Sequence, residues 1–233
     1  MLKSIIYAFI ATILLFPAGV SFAGTPDTLA VAAHDSDERP LASHLLVIGD
    51  SMTGWLAEDL AAYGAANGFK VSTVVWDGST IPKWGANAAK ISSYIKQIDP
   101  DAVVICLGLN NVGERKPSSL TSPVEKILKA CGNLPVLWVG PPSWPGKNFG
   151  NGVDRWLNTE LGEGRYFSTC NLTLTRQSKT NPHPSRAGMA TLVKALMQWL
   201  PDNCVFRLPD YRDPGSKTKR PSPYIYRKMK QPL

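Results

Sequence analysis

The chain has no CxxC pair and no histidine close to any of its four cysteines, so a zinc site is not expected. No internal repeat recurs along its 233 residues, which argues against a solenoid or propeller. It has no cysteine before Cys106 to carry a lipid anchor. It also has no long apolar lid segment, which weakly disfavours a lipase, and only one stretch near its start approaches the length of a membrane span. That stretch opens with Met1-Leu2-Lys3, runs apolar from Ile5 to Phe16, and ends in Val20-Ser21-Phe22-Ala23. A charged start, a short apolar middle broken by Pro17 and small residues at the end read as a secretory signal peptide over residues 1–23. The mature protein is then expected to be secreted or periplasmic, without an integral membrane segment.

Residues 24–42 read as a leader and 43–206 as a single α/β domain. Its 44% hydrophobic content is ample for one core. Apolar runs near 45–49, 70–76, 102–107, 135–139 and 165–170 alternate with helical patterns near 52–66, 86–98, 120–131, 153–161 and 185–200. Such alternation predicts a three-layer, flavodoxin-like parallel sheet covered by helices on both faces. Residues 207–233 form a basic, Pro-containing segment expected to be a flexible tail, with a net charge of +6 out of the chain's +7. In an exported protein this tail suits an anionic envelope surface better than nucleic acid. Cys131 and Cys204, each expected at a helix end on one edge of the sheet, form the most plausible disulfide.

Three segments carry the chemistry. Leu45-Leu-Val-Ile-Gly-Asp-Ser51 places a serine where a strand gives way to a helix, whose free N–H groups favour developing negative charge. Asp101 to Asn111 is a second apolar strand, ending in Gly108-Leu-Asn-Asn111. Thr180-Asn-Pro-His183-Pro184 precedes the last helix. In a parallel sheet all strand C-termini open on one edge, so Ser51, Asn110 and His183 should converge there.

In this order and at this domain length, residues 43–201 resemble the SGNH (GDSL-type) hydrolases, a superfamily of serine esterases, lipases and carbohydrate acetylesterases. The resemblance implies strand order 2-1-3-4-5 in a five-stranded sheet, Ser51 as nucleophile, and His183 as general base. It also implies an oxyanion hole made by the N–H groups of Ser51 and Gly78 and the amide of Asn110, with Gly85 the fallback glycine. No cofactor is implied.

Two positions depart from the family. Asn111 stands where an Asp is usual, and Thr180, which can accept a hydrogen bond from the ring but carries no charge, stands three residues before His183 where the orienting Asp is expected. Three arrangements follow: a Ser-His dyad held by a backbone carbonyl, a carboxylate from elsewhere such as Asp154, or a weakened site that only binds. Trp84, and Trp144 in the Gly/Pro-rich loop 140–152, are candidates for lining the substrate site. The expected substrate is a small ester or acylated carbohydrate, with short acyl groups preferred. A lysophospholipase or thioesterase, an acyl transferase and an acyl-glycan binder are the alternatives.

Overall fold

The computed structural model describes residues 38–145, 151–209 and 211–233, so the proposed signal segment, most of the leader and part of the 140–152 loop lie outside the described residues. Strand β1 (His44–Gly49) is followed by α1 (Thr53–Asn67), β2 (Lys70–Trp76), α2 (Ile81–Ala86), α3 (Ala88–Ile98) and β3 (Ala102–Cys106). Then come α4 (Thr121–Ala130), β4 (Val136–Val139), α5 (Gly152–Leu161), β5 (Tyr166–Phe167), α6 (Arg186–Asn203) and β6 (Tyr224–Arg227). All pairings are parallel, in the order β5-β4-β3-β1-β2-β6.

Successive residues of a strand face opposite sides of its sheet, and the core divides accordingly. Leu45, Val47, Val104, Cys106, Leu137 and Val139 pack under α1 and α6. Leu46, Ile48, Val103, Ile105, Val136 and Trp138 pack against α2 to α5 on the other side. Because both faces are covered, β1, β3 and β4 read as apolar runs, while β2 buries Ser72 and Thr73 among its apolar residues.

The order 2-1-3-4-5 is present, with a sixth strand added beyond β2. That strand comes from the segment expected to be a flexible tail. Tyr224 to Arg227 pair with Thr73 to Trp76, while Ser222 donates its N–H to the Val71 carbonyl at 3.0 Å. An aromatic and β-branched core flanked by prolines and basic residues is what a protected edge strand looks like. The same segment covers the outer side of α1: the Lys219 N–H reaches the Glu58 carbonyl at 3.1 Å, and a Cβ at Gly54 would meet the Tyr224 hydroxyl at 2.6 Å. Helix α1 is therefore buried on nearly all sides and rich in Ala and Gly.

At the other end of the sheet β5 has two residues where six were expected. Beyond Phe167 the chain leaves the ladder. Ser168 and Cys170 turn to Asp154 on α5, and the Thr169 hydroxyl donates to the Gly140 carbonyl at 2.8 Å. The expected Cys131–Cys204 disulfide does not form: both thiols are free, and they belong to core layers on opposite faces of the sheet. Among the described residues no helix is long and apolar enough to cross a membrane.

Candidate active site

Ser51 sits in the turn between β1 and α1, and that turn is pinned to the end of β3. The Cys106 carbonyl accepts from the Asp50 N–H and the Thr53 hydroxyl, both at 3.2 Å. Gly49 has φ +155°, and any Cβ there would lie 1.8 Å from the Cys106 oxygen. Only glycine lets the two strand ends approach this closely. Asp50 is fully buried and accepts the Met52 N–H at 3.0 Å, while its Oδ2 has no hydrogen-bond partner among the described residues. Burial outweighs the N–H donors around it and pushes its carboxyl up to about 7.

His183 arrives from the loop before α6. Ser185 caps that helix by accepting the Gly188 N–H at 3.2 Å. Gly188 packs so close to the Thr175 carbonyl that a Cβ would lie 2.1 Å from it. The Ser185 N–H donates to that same carbonyl at 2.9 Å, and Gln177 donates to the His183 carbonyl at 3.3 Å. Arg176 clamps the loop from below through the Pro182 and Ser143 carbonyls.

Held in this way, His183 Nε2 lies 2.7 Å from Ser51 Oγ. On the far side of the ring, Asn181 Oδ1 lies 2.9 Å from Nδ1 and 2.9 Å from the His183 backbone N–H. The backbone N–H can only donate, so the atom facing it is the amide oxygen. That oxygen can only accept, so Nδ1 carries the proton and neutral Nε2 is left to accept the Ser51 hydroxyl. Ser51, His183 and Asn181 form a continuous relay.

Neither expected orienter occupies Asn181's place. Thr180 is exposed. Asp154 accepts hydrogen bonds from Tyr166 at 2.7 Å, Ser168 at 2.9 Å and Cys170 at 3.1 Å, and so staples α5 to β5. Asn181 had a readable signal: Asn two residues before His183, across Pro182, is the spacing at which an Asn side chain bonds backbone two residues on.

Burial holds the His183 pKa below its ordinary value; the Asp77 carboxylate pulls it up and Arg176 pulls it down. Asp77 follows β2 at the same sheet edge, donating its N–H to the Arg227 carbonyl at 2.9 Å. Next to it is Gly78, with φ +65°, backed by the Met229 side chain. Asn110 donates one amide hydrogen to the Ser79 carbonyl at 2.8 Å, and Asn111 Oδ1 accepts the Ile81 N–H at 3.0 Å. The two asparagines thus fasten the β2–α2 loop carrying Gly78 to the end of β3. Among the described residues the N–H groups of Ser51 and Gly78 and the second amide hydrogen of Asn110 have no protein acceptor. Gly85 is a buried packing position whose Cβ would strike Pro123.

A cavity of about 240 Å³ opens over the pair, lined by Ser51, Met52, Trp55, Gln177, His183, Pro184 and Met189. Its aromatic wall is Trp55, in the first turn of α1, on which the Arg186 guanidinium stacks at 5.2 Å. Trp84 was expected here and is instead 1% exposed, donating to Ser79 Oγ at 2.8 Å and packing edge-on against Trp76. A side chain with no free face cannot stack on a ligand. Trp144 is half-buried against the α1/α6 layer and does not line this cavity.

Among solved structures, the Clostridium thermocellum family 3 carbohydrate esterase is similar over 70% of this chain and 96% of its own, at 16% identity and a TM-score of 0.51. The fold is that of the SGNH hydrolases. TesA matches at 22% identity and a TM-score of 0.49, covering 68% of this chain and 98% of its own. A family 3 carbohydrate esterase from Talaromyces cellulolyticus matches at 18% and 0.48, with the same coverages. No protein-family profile and no curated protein matches the sequence.

Proposed function

We propose that this protein is an exported serine esterase that removes a short acyl group, acetate in the first instance, from a carbohydrate. The observation that carries the reading is the Ser51–His183–Asn181 relay. His183 Nε2 takes the Ser51 proton as Oγ attacks the ester carbonyl, and the carbonyl oxygen becomes an oxyanion facing the unspent hydrogens of Ser51, Gly78 and Asn110. The tetrahedral intermediate collapses, the C–O bond to the sugar breaks, and the imidazolium returns its proton to the departing hydroxyl. Water, deprotonated by the same nitrogen, then attacks the acyl-enzyme and releases the acid and Ser51.

The cavity of about 240 Å³ is smaller than typical drug-sized pockets and supports a short acyl group. Carbohydrate esterases are among the proteins sharing this fold, which supports a glycan as the alcohol side. The N-terminal Met1–Ala23 pattern supports export to the periplasm or medium. The neutral Asn181 motivates a second reading, an acyl-glycan binder with little turnover.

Release of p-nitrophenol from p-nitrophenyl acetate, beside Ser51→Ala, separates these readings. Turnover abolished by the substitution supports the esterase. Equal rates in both proteins exclude it. An ester series from acetyl to palmitoyl should fall off steeply with length; a rise toward palmitoyl would favour a lysophospholipase or thioesterase.

A further inference from the structure

The Trp55 indole shares the lining of the catalytic cavity with Met52 and Met189. The two methionines are unbranched and reshape readily around a ligand. The indole moves only as a flat unit, so the position of its plane sets how far the cavity can extend.

That plane is held by Arg186. Trp55, Glu58 and Asp59 stand at i, i+3 and i+4 along α1, hence on one face of the helix. Arg186 opens α6, three residues after His183, and lays its guanidinium over the indole at 5.2 Å. Its Nη1 donates to Glu58 Oε2 at 3.2 Å and its Nη2 to Asp59 Oδ1 at 2.9 Å. Asp59 is 6% exposed, and its other carboxylate oxygen has no hydrogen-bond partner among the described residues. The arginine is thus the cation that compensates a buried charge, which fixes it in place more firmly than a surface pair would. A planar fork anchored at two nitrogens, with its flat face on the ring, is an arrangement that a lysine ammonium cannot copy.

We propose that Arg186 is a specificity-determining residue of the site: by fixing the Trp55 plane it keeps the acyl cavity short. The inference rests on the esterase reading for the nature of the ligand and adds to it the residue that sets acyl length. Arg186 does not itself line the cavity and acts through the indole.

The test is the ratio of kcat/KM for p-nitrophenyl hexanoate to that for p-nitrophenyl acetate. A misfolded fraction cancels from this ratio. Arg186→Gln frees the ring and should raise the ratio by about tenfold, the discrimination that a hydrophobic pocket gains from a small change in fit. Arg186→Lys keeps a charge for the two carboxylates but offers no flat face, and should move the ratio the same way. Trp55→Ala should raise it as well, and adding Arg186→Gln to Trp55→Ala should then change nothing further. In a Ser51→Ala background, ligand-detected NMR should show hexanoate gaining on butyrate in affinity by about tenfold when Arg186 is replaced by Gln. A ratio unmoved in both arginine variants, or an Arg186→Gln shift of equal size with and without Trp55, would overturn the proposal. Ester turnover with no change in length preference would leave the esterase and remove the role of Arg186. A shift in binding preference without any turnover would do the reverse.

Discussion

Asn181→Asp places a carboxylate where a neutral amide oxygen now lies 2.9 Å from His183 Nδ1. At about 4 Å between charge centres and an effective dielectric near 20, a unit charge favours the imidazolium by roughly 4 kcal/mol. Measured shifts for paired groups are smaller, about 1–3 pKa units. His183 now titrates below its ordinary value because it is buried, so the acid limb of kcat/KM should lie below about 6.5. In the Asp variant that limb should move up by about 1–3 units. Its plateau should rise, because the charge stabilises the imidazolium formed as Ser51 loses its proton. Asn181→Ala should act differently: it removes the acceptor of both the ring and backbone N–H groups, a loss of about 1–3 kcal/mol, and kcat/KM should fall by about 5- to 150-fold. The assay is p-nitrophenyl acetate hydrolysis from pH 4 to 9. An unmoved acid limb in the Asp variant, together with an Ala variant within twofold of wild type, would refute the orienting role of Asn181.

Asp77→Asn removes the carboxylate that raises the His183 pKa, so the acid limb should shift down, and less so at high salt; an upward shift would contradict this. Asp50 gives a stability test. Its folded pKa is raised from 3.8 to about 7, so the folded protein keeps a proton that the unfolded chain gives up. Stability from this group is full below about pH 4 and is lost as pH rises toward 7, by at most roughly 4 kcal/mol. Urea unfolding should therefore show wild type weakening across that window more than Asp50→Asn. Parallel curves would disprove the assignment.

Much of this architecture is legible in the sequence, because a parallel sheet covered on both sides favours apolar runs, and β1, β3 and β4 supply unbroken ones. β6 escaped because an edge strand needs no such run: Tyr-Ile-Tyr-Arg lies among prolines and lysines, where composition points to a solvated tail. Ser51 and His183 were readable from strand-end chemistry, and they meet at 2.7 Å. The orienter was sought as a backbone carbonyl, as Thr180 or as a distant carboxylate such as Asp154, and the chain uses an Asn held by its own turn. Trp84 misled because its position after Gly78 says nothing of which way its ring faces, and the ring turned inward to Trp76. Trp55, four residues after Ser51, lies inside the helical pattern at 52–66, and the face of α1 that carries it also walls the cavity.

The sixth strand ties the completeness of the sheet to the readiness of the site. β6 pairs with β2 about 150 positions away in the sequence, so its docking is a non-local step. The Arg227 carbonyl holds the Asp77 N–H and Met229 backs Gly78 only once that strand is in place. A molecule with β6 undocked presents a bare β2 edge to any neighbouring chain and an unsupported glycine to its own substrate. Self-association and lost turnover are then two readouts of the same opening.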